Sequence, residues 1–334
     1  MKSVKLIAVL CTTLLTIWAC DTRCDIHSEG GTWVVVNFDW SDLEKTPNGA
    51  TALFYPQTRS VLSPSYLSTN YQQDKIFVKR DFYNVLVMNE TTSSHANMTF
   101  SNKSSYDEFA ARLTDLNVTI DNYDQTFSCS GEPDILTVER YTGLEVTRES
   151  VINGESYEMT FAPKQITKNL RVLLYLRGID NLGSSSQSVV IDGMSKGIFI
   201  NSGESTGEQT SHHIGFLNGV LDDETGDSGY LYGSINCFGT IDNATNKVKV
   251  ILNLRDESTF EIEYDASGKI YSDSDNESQL YLEIYDEALS SEGQKVGFQL
   301  PEVEAPNDDN NDSGGFGASV DDWGNEEDVP VTAN

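Results

Sequence analysis

Apolar and polar residues alternate with a period of two along most of this chain, the spacing of half-buried β-strands. In residues 32–40 (TWVVVNFDW), Val34, Val36, Phe38 and Trp40 share one face while Asn37 and Asp39 take the other. Thr46-Pro47-Asn48-Gly49 makes a turn, and residues 50–55 return as a second strand stopped by Pro56. Within residues 76–88, Tyr83, Val85 and Val87 alternate against Phe82, Leu86 and Met88, so both faces of that strand are expected to be buried. After Gly131-Glu132-Pro133-Asp134 the pattern resumes at 135–141. It continues at 144–151, 157–161, 169–179, 188–191, 197–201, 279–285 and 295–300. Short strands at such regular spacing, separated by polar turns, predict β-sandwiches.

One segment breaks the period. Ser105-Tyr106-Asp107-Glu108 reads as a capping box, and Tyr106, Phe109, Leu113 and Leu116 follow at helical spacing, which predicts a helix of about three turns. The clearest hairpin joins residues 247–255 (KVKVILNLR) to 259–264 (TFEIEY). A two-residue loop would set Leu252 opposite Glu261, mixing a core face with a charged one. A three-residue loop sets Leu254 opposite Phe260 and Leu252 opposite Ile262, and this register is expected.

With 334 residues, 38% of them hydrophobic, the chain has enough for two packed cores. The expected organisation is all-β: a first sandwich over 32–143, a second over 144–300, one short helix and a disordered acidic tail over 301–334. The tail holds ten acidic residues and no Lys or Arg. Beyond the run 307–315, Phe316, Ala318 and Val320 alternate ahead of Trp323. Residues 316–323 therefore read either as a strand on a tether or as part of the disordered tail.

The first twenty residues change the picture. Lys2 and Lys5 give a basic start, residues 6–18 are mostly apolar, and Ala19 precedes Cys20. As a helix that run reaches about 20 Å, short of a hydrocarbon core of about 30 Å, so a cleaved signal fits better than a permanent span. The segment resembles a bacterial lipobox. That resemblance implies removal of residues 1–19, a diacylglyceryl group on the Cys20 thiol and acylation of the new amino terminus, with residues 20–31 as a polar spacer. Several acyl chains, at about 0.8 kcal/mol per buried methylene, hold a protein to a membrane far more firmly than one.

Charge removes further classes. The chain carries 52 Asp and Glu against 22 Lys and Arg, a net of -30. Such a surface repels nucleic acid and acidic lipid headgroups. Cys11 leaves with the signal and Cys20 is expected to carry lipid, so Cys24, Cys129 and Cys237 remain, allowing at most one disulfide.

The catalytic and metal motifs are weak. Gly226-Asp227-Ser228-Gly229 copies part of a serine-nucleophile loop, but none of His27, His95, His212 and His213 lies in a matching histidine motif, and a glycine turn is the better reading. His212 and His213 are neighbours on a strand, point to opposite faces and cannot share a metal; both are read as surface residues. Asp273-x-Asp275-x-Glu277 offers alternate oxygens but lacks the glycine and distal glutamate of a calcium loop, so a polar turn is expected. No catalytic residue, cofactor site or metal site is expected. A glycan-binding surface would want exposed aromatic platforms, and of the tryptophans Trp33 and Trp40 fall in the first strand and Trp323 in the tail.

Pieces in order along the chain resemble the fimbrillin-like lipoproteins of Bacteroidota, in the branch related to anchoring and minor subunits of type V pili. They are Cys20 with its polar leader, Val36-Asn37-Phe38-Asp39-Trp40, Leu53-Phe54-Tyr55-Pro56, Tyr83-Asn84-Val85-Leu86-Val87-Met88-Asn89, Pro133-Asp134, Ile191-Asp192-Gly193-Met194-Ser195, Gly314-Gly315-Phe316 and Val320-Asp321-Asp322-Trp323. The resemblance implies two tandem transthyretin-like, Greek-key β-sandwich domains. It also implies an outer-membrane, surface location through the Cys20 lipid, pilin or other surface proteins as partners, and a structural or adhesive role in place of an enzymatic one. Such subunits assemble by strand donation, for which Phe316, Val320 and Trp323 are the candidate donor residues.

Overall fold

A computed structural model describes residues 30–304, except 44, 59–64, 69–71, 155, 217, 222–226, 275 and 292. The expected signal over residues 1–19, Cys20, Cys24, His27, Gly226, Asp275 and the candidate donor residues Phe316, Val320 and Trp323 lie outside the described residues. The described chain is nearly all strand, as the alternation predicts, and strands are numbered here in chain order.

Two compact units divide it, and their border is not at residue 143. The first unit takes the chain as far as Ser94, then Asn102–Phe109 and Leu136–Gln165; the second takes His95–Ser101, Ala110–Ile135 and the chain from Ile166 onward. Gly143 falls inside a strand, at a bulge where its φ is +88°, and pairing resumes beyond it with Leu144 opposite Tyr83. Leu144 and Val146 belong to the first core, so the chain stays in that unit past 143.

In the first unit, β1 (Gly31–Phe38) runs antiparallel to β4 (Gln73–Lys79) and parallel to β11 (Tyr157–Phe161), making a three-stranded sheet. Against it lies a five-stranded sheet in the order β12 (Lys164–Gln165), β10 (Thr137–Glu145), β5 (Phe82–Asn89), β2 (Ala50–Pro56), β3 (Ser65–Ser68). Val34, Val36 and Phe38 meet Ala52, Phe54, Tyr83, Val85 and Val87 in the core between the sheets. Each buried Val or Phe among them contributes about 1.5–3 kcal/mol. The reverse face of β5 is also covered, with Leu86 and Met88 fully buried, while Phe82 at the strand's start stays 44% exposed.

The one α-helix of the described residues, α1 (Arg148–Asn153), is not where the capping box placed it. Thr147 caps it, accepting the Ser150 N–H at 3.0 Å, and Gly154 closes it in the left-handed region at φ 65°. At 105–109 the Ser105 cap does form one turn, the Glu108 N–H reaching Oγ at 3.3 Å and the Phe109 N–H reaching the Ser105 carbonyl at 3.1 Å. The next residues are then claimed by ladders. β7 (Ala110–Leu113) pairs with β6 (Met98–Ser101) and β15 (Gly197–Phe199), and β8 (Asp115–Thr119) pairs with β9 (Thr126–Ser130). Long-range pairing outweighs a local helix signal here.

The second unit is built on β13 (Lys168–Arg177), whose Leu170, Val172, Leu174 and Leu176 alternate into the core at 1% exposure or less. It pairs along ten residues with β18 (Ser228–Cys237) and in parallel with β22 (Gln279–Ile284) and β23 (Phe298–Gln299), while β17 (Asn218–Leu221) and β21 (Tyr271–Ser272) form the edges. The facing sheet has the order β16 (Gln209–Phe216), β14 (Gln187–Ser195), β19 (Lys247–Asn253), β20 (Thr259–Asp265). Its outer side is covered through Ile120, Cys129, Val190 and Ile251.

Two sequence expectations are corrected here. The β19–β20 loop does span three residues, but it pairs the Leu254 N–H with the Ser258 carbonyl at 2.8 Å and bends at Glu257, φ 67°. Leu252 therefore faces Phe260 and Val250 faces Ile262, two residues from the expected register and on the expected face. His212 is not a surface residue: opposite Ile191 on the inward side of β16 it is fully buried, and His213 is part-buried with Nε2 3.1 Å from Ser188 Oγ.

Candidate functional site

The sheets of the first unit are unequal, three strands against five, and the shortfall leaves apolar positions uncovered at β11. Residues 157–161 (YEMTF) place Tyr157, Met159 and Phe161 beside Val34, Val36 and Phe38, on the core side. Phe161 is buried; Tyr157 and Met159 are covered only in part. Across the gap, Tyr141 of β10 sits opposite Val85 on the core side of the other sheet and is still 43% exposed. An inward-facing tyrosine with that exposure marks a groove.

The groove has two ends. At one, β12 pairs with Thr137 and Val138 of β10, and the Glu139 carboxylate accepts the Ala162 N–H. At the other, α1 closes the sandwich by placing Val151 in the core. Between them both strands lack a ladder partner on one side among the described residues.

The two free edges are not equivalent. β10 is broken by the bulge at Thr142/Leu144, which twists its ladder groups out of line and blunts the edge. β11 is unbulged and contains no proline, so its backbone can take a further strand. A strand added there becomes the fourth of its sheet, and its inward side chains cover Tyr157, Met159 and Tyr141. A five-residue ladder spans about 17 Å. The alternation in YEMTF is visible in sequence; that β11 has a neighbour on one side alone is a property of the assembled sheets.

The remaining candidates are dispersed. Ser228 opens β18, and the carbonyl of Asp227 receives the Gly178 N–H at 2.7 Å, so the serine is the first residue of a paired strand. The described histidines are committed to packing: His95 lies 5.7 Å from the Phe100 ring, and burial pushes His212 down to about 4. No group of three His, Cys, Asp or Glu positioned for a metal occurs among the described residues. Asn276 Oδ1 caps the turn before β22, receiving the Ser278 N–H at 3.1 Å. Cys129 and Cys237 are both free and buried, and burial pushes each thiol up to about 11, which makes them inert as nucleophiles. Among the described residues no helix is long and apolar enough to cross a membrane.

Solved structures of similar form include candidate adhesins and fimbrial proteins. A candidate adhesin from Bacteroides ovatus superposes with a TM-score of 0.59 at 15% identity, covering 86% of this chain and 98% of its own. A candidate adhesin from Bacteroides thetaiotaomicron gives 0.43 at 12% identity, covering 70% and 80%. The fimbrial anchor protein Mfa2 from Porphyromonas gingivalis gives 0.48 at 10% identity, covering 80% and 95%. The fold shared with the first of these, the Bacteroides ovatus protein, is the β-sandwich kind that the alternation predicts. No curated protein matches the sequence. The profile of the family described as "Domain of unknown function (DUF5119)" matches residues 19–215, more than half of the sequence, and the chain belongs to that family.

Proposed function

We propose that this protein is a lipid-anchored subunit of the outer-membrane surface that joins pilin or other surface proteins by strand addition. Its role is structural and adhesive. The observation that carries the reading is the open edge of β11 with Tyr157, Met159 and Tyr141 part-exposed beside it. The likeness in fold to a candidate adhesin supports a surface role. Cys20, after a basic and apolar leader, supplies the tether. Phe316, Val320 and Trp323 supply a donor segment toward the next subunit; Phe316 lies twelve residues beyond Glu304, the last described position, and so can reach about 40 Å from it.

Crosslinking in intact envelopes tests each part. A chain lacking residues 316–334 should lose capture of its partner while both units keep their melting behaviour; unchanged capture removes the tail from the mechanism. Tyr141→Arg should weaken capture at the groove by at least about tenfold, because a charge would replace an aromatic contact buried under the added strand. Equal capture by that variant would place the docking edge elsewhere. Cys20→Ser should release the chain from the membrane fraction and abolish labelling by a fatty-acid analogue; persistent labelling would end the anchor assignment.

A further inference from the structure

We infer that the outer face of the β13 sheet binds an acidic polysaccharide. Because the leucines of β13 and the apolar residues Leu231, Ile235, Leu280 and Leu282 point inward, the alternate positions point out. Those positions hold Tyr175, Tyr230, Tyr232, Tyr271 and Tyr281. Tyr175 and Tyr230 lie 5.7 Å apart with rings tilted by 45°, and Tyr271 and Tyr281 stack at 5.7 Å and 24°. The four described tyrosines on central strands are part-exposed and Tyr271 is 49% exposed, whereas the outer side of the facing sheet is covered.

The polar groups between the rings point to the ligand. Glu283 is already committed, accepting from the Tyr175 hydroxyl at 3.2 Å and pairing with Lys295, which also lies 5.7 Å from the Tyr175 ring centre. Arg171 is not. It stands between Ser234 and Tyr281 in register, and its guanidinium makes no hydrogen bond or ion pair among the described residues. The net charge of -30 repels polyanions at a distance, but that repulsion is screened beyond about 8 Å at physiological salt, and at this face a guanidinium left without an acid offers a local contact to a carboxylate from outside.

Chemistry separates a polysaccharide from a protein. The backbone of β13 is paired on both sides, so an extended peptide finds no main-chain partners on this face. Its aliphatic residues are few, Leu173 and Val220, too little for the apolar centre of a stable protein interface. Phenol rings give flat apolar surfaces for sugar C–H faces and hydroxyls for sugar hydroxyls. Arg171 and Tyr175 are four residues apart on one strand, about 13 Å, so a chain ligand engages both ring pairs where a single sugar cannot.

Titration calorimetry on the chain from residue 20 to 334 with polygalacturonate, alginate and hyaluronate tests this, with fully methyl-esterified polygalacturonate as the uncharged control. Binding of at least one acidic polymer is expected, weakened at least about tenfold by Arg171→Gln, by Tyr281→Thr and by esterification. Threonine keeps β propensity, and unchanged hydrogen exchange in β13 and β22 shows that the sheet survives. Tyr141→Arg should leave polymer binding intact, which separates this face from the strand-accepting groove. Failure of all three polymers to bind, equal binding by the intact-sheet variants, or equal binding of the ester would overturn the assignment.

Discussion

Between pH 7 and pH 5 the second unit is expected to lose about 2 kcal/mol of stability, and His212→Leu is expected to remove most of that loss. His212 is fully buried opposite Ile191, and neither ring nitrogen has a hydrogen-bond partner among the described residues. Burial lowers its pKa from 6.5 to about 4. Above pH 6.5 the imidazole is neutral in both states and costs nothing through protons. As pH falls below that value the unfolded chain takes up a proton that the folded chain refuses until about pH 4, so stability declines across this window. The exposed carboxylates paired with lysines act lower. Hydrogen bonds from Lys249 and from Lys269 hold Glu261 and Glu287 below the usual carboxylate range, so their stabilisation fades only below about pH 4.3. His213 is also lowered by burial and leaves a smaller residue of the effect in the variant. Native-state hydrogen exchange of the β13 amides at pH 7, 6 and 5 reads the difference; an equal decline in wild type and variant would show that another group sets it.

Gly193→Ala should unfold the second unit while leaving the first folded. Gly193 has φ +75°, and a Cβ placed on it would stand 2.3 Å from the Thr245 carbonyl oxygen. It sits in the bulge of β14 between Ile191 and Met194, which carries the strand from the β19 ladder toward its later pairing with Thr210 and Gln209. Left-handed strain and a backbone collision together cost about 3 kcal/mol or more, a large share of a domain's net stability. Trp33 and Trp40 both lie in the first unit, so their fluorescence should stay native while exchange protection in β14 and β19 disappears. Retained protection in those strands would show that the β14 turn can relax around a methyl group.

Local alternation was enough to read β1, β11 and β13, because each turns every second side chain toward a core, while β2, buried on both faces, was legible from the turn before it and Pro56 after it. Gly193 belongs to a stretch that reads as a family resemblance, and its bulge is the physical reason for glycine there. What failed depended on partners far away in sequence. The Ser105 cap is real, yet β6 and β15 claim the residues after it. His212 looks polar in isolation and becomes a core residue because β14 fixes which side of β16 is inward. The tyrosine face was missed for the same reason: Tyr230-x-Tyr232 shows the spacing, but only pairing with β13 and β22 brings those rings beside Tyr175 and Tyr281. At β11 the alternation was legible and the missing neighbour was not.

The placement of β1 has a mechanical meaning. Its strand begins at Gly31, eleven positions after Cys20, and it is held by register pairs to β4 on one side and β11 on the other. Tension on a chain fixed at Cys20 pulls β1 along its own axis, so the ladder bonds on both flanks resist in shear together and do not unzip one at a time. A filament gripping the free side of β11 would pass its load through a single neighbouring strand toward Cys20, with the core packing of Val34, Val36 and Phe38 resisting beside the ladder bonds.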